Sequence, residues 1–415
     1  MSAISTRDLF AVFGRIGLLS FGGPAAQIAL MHRELVETHK WLDEQSFLRA
    51  LSLCMLLPGP EAMQLATYAG WRLRGTLGGL IAGLLFVIPG AIVILALALG
   101  YALYGQVPLV QAAFIGIKAA VIVIVLQALM KVARKALTRA SAWGLAVAAF
   151  IALFVFGAPF PLIIIAAALF GYVATPSGSV PTGVPPAHPL HTGRVVATWV
   201  TLWALPIVVL WFTGQKFLLE VGLFFSKLAV VTFGGAYAVL AYMTQTVVAD
   251  YGWITTPQMI DALGLAETTP GPLILVTQFV AMLAGFAQNG IGLAIAAGVL
   301  ALWATFTPCF LWIFVAGPYL ELIAARPRLS GALQAITAAV VGVILNLAVW
   351  FALHVVFADM TRLGATAIPW PMPNSLNLAA LLLSVLAGLL LLKFKRGMVE
   401  TLGILAIAGI GFSLI

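Results

Sequence analysis

The sequence predicts an all-α polytopic membrane protein made of two inverted-topology repeats, with broken or re-entrant helices and about 13 membrane segments. Three observations predict it. Of the 415 residues, 63% are hydrophobic and only 8% are charged, whereas a soluble domain carries about a quarter charged residues. Rare residues recur at a fixed offset of 212 positions. The loops that carry Lys and Arg change sides between the halves.

Composition sets the solvent. Apolar runs near the ~20 residues that span a bilayer recur along the whole length, for example 80–104, 112–130 and 332–355. No stretch is left for a soluble domain, and membrane lipid is the expected surrounding partner. The formal charge of +8 comes from Lys and Arg lying mostly between apolar runs, where retention at the cytoplasmic face accounts for it without a nucleic-acid partner. Cys54 and Cys309 sit far apart inside apolar segments and read as small core residues. The first apolar run contains Gly22-Gly23-Pro24 and no small-residue cleavage site, so it reads as a retained segment rather than a signal peptide.

The repeat is visible in rare residues. Phe21-Gly22-Gly23 matches Phe233-Gly234-Gly235, Trp41 matches Trp253, Arg15 matches Lys227, Ser20 matches Thr232, and Pro58-Gly59-Pro60 matches Pro270-Gly271-Pro272, all at an offset of 212. After an insertion of seven residues the match resumes at 219, pairing Pro89 with Pro308 and Ala119-Ala120-Val121 with Ala338-Ala339-Val340. The expected division is an N-terminal repeat 1–173, a Pro/Gly/Ser-rich cytoplasmic linker 174–194, an extra crossing helix 195–213 and a C-terminal repeat 214–415.

One unpaired crossing inverts everything downstream, and charge tests this. In the first half the loops with Arg72 and Arg74, and with Lys131, Arg134, Lys135 and Arg139, alternate with uncharged turns at 105–108 and 157–161. In the second half the equivalents of those uncharged turns carry Arg326 and Arg328, and Lys393, Lys395 and Arg396. An inverted repeat is the physical reading, and it is a common plan of secondary transporters. The segments bearing Gly-Gly-Pro and Pro-Gly-Pro read as re-entrant, because Arg33, Lys40, Arg49, Arg72 and Arg74 around them all favour the cytoplasmic side.

The interruptions carry the chemistry. Proline removes a donor and glycine admits unusual angles, so Pro58-Gly59-Pro60 and Thr269-Pro270-Gly271-Pro272 break their helices. In lipid such breaks are tolerated where protein or a wet cavity satisfies the freed groups. Half-helices starting there, and the amides of the two Phe-Gly-Gly segments, would offer N–H groups to an anion; a kink that only serves packing is the plainer alternative.

Three cations lie within apolar runs: Arg15, Lys227 and Lys118. Arg15 and Lys227, each six residues before its Phe-Gly-Gly, could jointly neutralise a divalent oxyanion or could snorkel to the interface. Lys118, whose repeat mate is Thr337, is deeper and is the better candidate for the permeation path. Glu61 follows the first Pro-Gly-Pro and Glu267 precedes the second; a carboxylate would repel an anion, so proton coupling or gating suits them. Ser20, Gln64, Thr232, Thr268, Thr269, Gln278 and Asn346 can donate hydrogen bonds to oxyanion oxygens or can join helix to helix. Gly75, Gly79 and Gly83 form a small-residue stripe for close packing.

Histidines at 32, 39, 188 and 191 have no metal spacing, no nucleotide-binding Gly-Lys occurs, and no nucleophile stands beside a base. Neither a cofactor nor an enzymatic activity is expected.

Ser20-Phe-Gly-Gly-Pro24, Trp41-Leu42, Leu57-Pro-Gly-Pro-Glu-Ala-Met-Gln64, Thr232-Phe-Gly-Gly-Ala-Tyr-Ala238 and Gly264-Leu-Ala-Glu-Thr-Thr-Pro-Gly-Pro272 together resemble the chromate ion transporter family in its long two-domain form. The resemblance covers nearly the whole chain. It implies a multi-pass carrier of the bacterial inner membrane that expels chromate from the cytoplasm, with sulfate as a chemically similar oxyanion. Sulfate or other anion uptake and an anion channel are the alternatives, and a homodimer is left open. The pattern departs at Gln27, where many members of the family carry histidine, so a proton role of that histidine would not carry over.

Overall fold

A computed structural model describes residues 4–176, 192–233, 235–319, 326–362 and 368–414. Most of the 174–194 linker, together with His188, His191 and Gly234, lies outside the described residues. The described residues are helical apart from a two-stranded antiparallel sheet. Five described helices are long and apolar enough to cross a membrane: Glu61–Tyr104, Pro108–Ala136, Thr192–Phe212, Leu273–Tyr319 and Pro327–Val356. The protein is therefore a polytopic membrane protein, although the remaining apolar helices are shorter than a full crossing needs.

The elements recur in the same order. In the first half they are α1 (Thr6–Leu19), α2 (Gly23–His32), a π turn (Arg33–Thr38), α3 (Glu44–Leu56), α4 (Glu61–Tyr104), α5 (Pro108–Ala136), α6 (Ala140–Phe154) and α7 (Phe160–Ala174). Unpaired α8 (Thr192–Phe212) follows. The second series is α9 (Lys216–Val231), α10 (Ala236–Gln245), a π turn (Thr246–Asp250), α11 (Thr256–Glu267), α12 (Val276–Ala316), α13 (Pro327–Val356), α14 (Leu378–Gly388) and α15 (Met398–Ser413). Strands β1 (Met360–Arg362) and β2 (Pro369–Pro371) pair antiparallel between α13 and α14.

Local chemistry repeats as well. Asp43 caps α3 by accepting from Ser46 N at 2.9 Å, and its mate Thr255 caps α11 in a capping box with Gln258. Each cap satisfies amides that the first turn leaves without partners.

Neither α4 nor α12 is one straight helix. Arg74 (φ −144°, ψ 33°) and Gly75 (φ 61°, ψ −156°) break the first, and Asn289 (φ −156°, ψ 43°) and Gly290 (φ 68°, ψ −159°) break the second. Beyond each break the chain doubles back, since a Cβ on Gly70 would lie 2.2 Å from Gly78 O and one on Gly285 would lie 2.6 Å from Leu293 O. The arms 61–73 and 276–288 are therefore only about 20 Å long at the helical rise, too short to cross. Gly75 thus turns the chain rather than extending the stripe of Gly79 and Gly83, which do pack closely, against Phe314 and Phe310. The seven-residue insertion also resolves into two parts. A 3-10 turn, Leu273–Leu275, precedes α12, whereas α4 begins directly after Pro60; the other four residues lie beyond the kink.

The chain forms two compact units. One comprises Met1–Leu99, Pro176–Ala236 and Thr269–Ser330; the other comprises Gly100–Thr175, Tyr237–Thr268 and Gly331–Ile415. Each takes segments from both sequence halves. In the first, α12 packs on α8 and α9, with Trp199 stacked on Phe310 and Trp303 donating to Leu202 O at 2.9 Å. No residue of α8 is buried, as suits a helix facing lipid. In the second, α5 is enclosed by α11, α14 and α15. Its Ala119, Ala120, Val123 and Ile124 pack with Leu383, Ala387 and Leu405. Gly116 lets α15 approach so closely that a Cβ there would meet Leu405 O at 1.8 Å.

Candidate functional site

The four interruptions meet within the first unit. Gly59 N donates to Thr232 O at 2.8 Å, and Gly271 N donates to Ser20 O at 2.9 Å. Each Pro-Gly-Pro is thus stitched to the residue before the Phe-Gly-Gly of the other half. The Ser20 and Thr232 hydroxyls also match, each donating to a carbonyl four residues back at 2.6 Å, Ile16 O and Leu228 O. Backbone groups freed by the breaks are satisfied by protein, as lipid requires. Gly59 (φ +125°) and Gly271 (φ +85°) hold angles an L side chain rarely adopts.

Glutamines complete the junction. Gln27 donates to Gly271 O at 2.6 Å and Ser20 O at 3.2 Å, Gln64 donates to Pro58 O at 2.6 Å, and Gln278 donates to Ala91 O at 3.1 Å. All three are buried, and none of their Oε1 atoms has a partner. Gln27 thus braces broken backbone, a role that composition and spacing do not disclose, while Gln278 joins α12 to α4.

Four amides at the breaks are bonded within the protein. Gly59 and Gly271 N–H are committed to carbonyls, and Phe21 and Phe233 N–H turn back to Leu19 O and Val231 O at 2.9 and 3.0 Å. The half-helix after Pro60 has half-buried Glu61 as its first residue, a carboxylate against the positive helix end. The Glu61 Oε1 lies 3.8 Å from where a Cβ on Gly235 would be, beside the break of the other half. After Pro272 the 3-10 turn is fully buried and apolar. Pro60, Pro270 and Pro272 are buried, Pro58 and Gly23 half-buried, and Gly22 exposed with φ +87°.

The cations are placed differently from one another. Arg15 and Lys227 are exposed on their helices, and Arg15 reaches buried Glu34 at 4.0 Å. Lys118, in the second unit, pairs with Asp261 of α11 at 3.4 Å. Asp261 also accepts from Tyr101 OH at 2.7 Å, and its Oδ1 is buried without a partner. Glu267 is buried and accepts from Tyr237 OH at 2.5 Å. Thr268 donates to Leu265 O at 2.7 Å, and Thr269 is buried. Sequence reasoning missed Asp261, Tyr101 and Tyr237. The signal for Asp261 was available: an acid inside Met259-Ile-Asp-Ala-Leu-Gly264, in a chain with one deep lysine.

The second unit also holds a cavity of about 420 Å³, lined by Thr244, Gln245, Asn346, Trp350 and His354 among others. Thr244 Oγ1 is buried there without a partner, and His354 Nδ1 lies 2.8 Å from Trp350 O. Asn346 is brought here rather than to the breaks.

A family model described as "Chromate transporter" matches residues 7–172 and 219–412. A probable chromate transport protein of Synechococcus elongatus is 31% identical over 82% of this chain and 83% of its own. A chromate transport protein of Pseudomonas aeruginosa is 31% identical over 82% of this chain and 80% of its own, and one of Cupriavidus metallidurans is 29% identical over 81% and 80%. No solved structure matches.

Proposed function

The chain belongs to the chromate transporter family, and on that premise we propose that it is a secondary transporter exporting chromate, or a similar tetrahedral oxyanion, from the cytoplasm across the bacterial inner membrane. The observation that carries this reading is the reciprocal stitching of the two halves, Gly59 to Thr232 and Gly271 to Ser20. A carrier alternates between two arrangements, and a junction built twice from equivalent parts can exchange one for the other at little net cost. The names of the three relatives support chromate as the substrate.

The two repeats run in opposite senses through the membrane. The change of side in the Lys/Arg loops and the single unpaired helix α8 between the series support this. Counting the half-length arms, about 13 segments enter the bilayer. The exposed Arg15 and Lys227 make first electrostatic contact with the oxyanion. The break residues Ser20, Gly22, Gly23, Pro58–Pro60, Gln64, Thr232, Gly235 and Thr269–Pro272 form the moving junction, and Lys118 serves the permeation path. Glu61 and Glu267 act in gating or proton handling, because carboxylates beside an anion are unfavourable unless protonated.

Reconstitution of the full chain into liposomes tests the reading. Chromate and sulfate uptake are measured under an imposed pH gradient and under a membrane potential. Chromate flux well above that of empty liposomes is expected under at least one drive. Flux equal to empty liposomes under both refutes it, and sided vesicles check the direction.

A further inference from the structure

Lys118 is the one deep cation of the sequence, yet it is not an open anion site. Its ammonium lies 3.4 Å from Asp261, whose side chain is 4% exposed against 25% for the lysine. Tyr101 OH donates to the same Oδ2 at 2.7 Å. The second carboxylate oxygen, Oδ1, is buried and has no partner, an expensive arrangement unless the group has another state. Gly264 sets the approach of the two helices: a Cβ there would lie 2.5 Å from Ile117 Cγ2 and 3.2 Å from Val121 Cγ2. The pair breaks the repeat, since the mate of Asp261 is Arg49 and that of Lys118 is Thr337.

We propose that Asp261 is the internal counter-ion of the transport cycle: it holds Lys118 while no anion is bound, and an oxyanion that pairs with Lys118 displaces its carboxylate, which then binds one proton from the aqueous phase. This rests on the transporter reading above. The charge balance gives the reason. Lys118 and ionised Asp261 sum to zero. A divalent oxyanion beside them brings the site to −2, and protonation of Asp261 restores it to −1, with Oδ1 available to carry the proton. The charged and titratable groups facing Asp261 are Lys118 from α5 and Tyr101 from α4. Glu267 on its own helix is committed to Tyr237. Coupling thus resides in one pair rather than two equivalent ones, and Asp261 is a positioning and coupling residue that need not touch the anion.

The test uses purified full-length protein with chromate as the probe. Proton uptake on chromate addition is read with a pH dye in weakly buffered detergent solution, and flux is read in proteoliposomes under a pH gradient and, separately, under a membrane potential. Wild type is expected to take up about one proton per anion bound. Asp261→Asn should abolish that uptake and the response to the pH gradient while keeping potential-driven flux. Lys118→Gln should cut flux under both drives by about tenfold or more, as for loss of a desolvated charge partner. Should Asp261→Asn fail to reach the membrane, the uncharged double variant Lys118→Gln/Asp261→Asn leaves no unpaired charge and is expected to fold, to bind no proton with chromate and to transport poorly. Wild-type proton uptake or wild-type pH response in Asp261→Asn or in the double variant overturns the proposal and leaves the carrier reading intact. A wild-type protein that moves no chromate under either drive overturns both.

Discussion

Gly59→Ala probes the break junction most directly. Gly59 has φ +125°, a region that costs an L residue about 1–3 kcal/mol. Its new Cβ would lie 2.7 Å from Gln64 Nε2 and 2.9 Å from Cys309 Sγ, both buried. Gln64 cannot yield without giving up its 2.6 Å bond to Pro58 O, and stranding those buried groups costs about 1–3 kcal/mol more. The total is about 2–6 kcal/mol. Gly23→Ala is the control: its φ is +78° but nothing lies within 4 Å of the added Cβ, so only the left-handed backbone cost of about 1–2 kcal/mol applies. Denaturant titration of both variants in detergent measures the difference, and chromate flux follows in parallel. In a double-mutant cycle Gln64→Ala should recover part of the Gly59→Ala loss, because it removes the clashing amide. If Gly59→Ala costs less than Gly23→Ala, or if Gln64→Ala recovers nothing, the junction is not packed as argued.

Gly264→Ala should push α11 from α5 by about 1 Å to reach ordinary carbon contact, stretch the 3.4 Å Lys118–Asp261 pair and weaken the pH response of flux with little change in the amount of membrane-inserted protein; an unchanged response refutes the spacing argument. Arg15→Ala and Lys118→Ala should each lower chromate flux in proteoliposomes, the deeper Lys118 more; wild-type flux removes that cation from the path. His32, the last residue of α2, lies 2.6 Å from Glu44 and 3.1 Å from Glu37, and these carboxylates raise its pKa above 6.5. Its charged form is favoured by folding, so its contribution is complete below about pH 6.5 and fades as pH rises through the raised native value. His32→Gln should flatten that part of the stability profile measured by thermal unfolding, and an unaltered profile excludes the pair.

Much of this protein was legible in the chain itself. Low charge and long apolar runs require lipid whatever the packing, because the solvent preference of a segment is a local property. The repeat and the Pro-Gly-Pro and Phe-Gly-Gly interruptions are also local. The linear chain could not show which groups the breaks satisfy. That Gly59 N–H meets Thr232 O and Gly271 N–H meets Ser20 O depends on segments some 170 to 250 residues apart coming together. Nor could it show that the lysine singled out as an open cation has a counter-ion. Lys118 and Asp261 are neighbours only because Gly264 lacks a side chain at the crossing of α5 and α11. Spacing along a helix fixes which residues share a face, but the partner across that face is chosen by packing, and here packing turned a deep lysine into half of an ion pair.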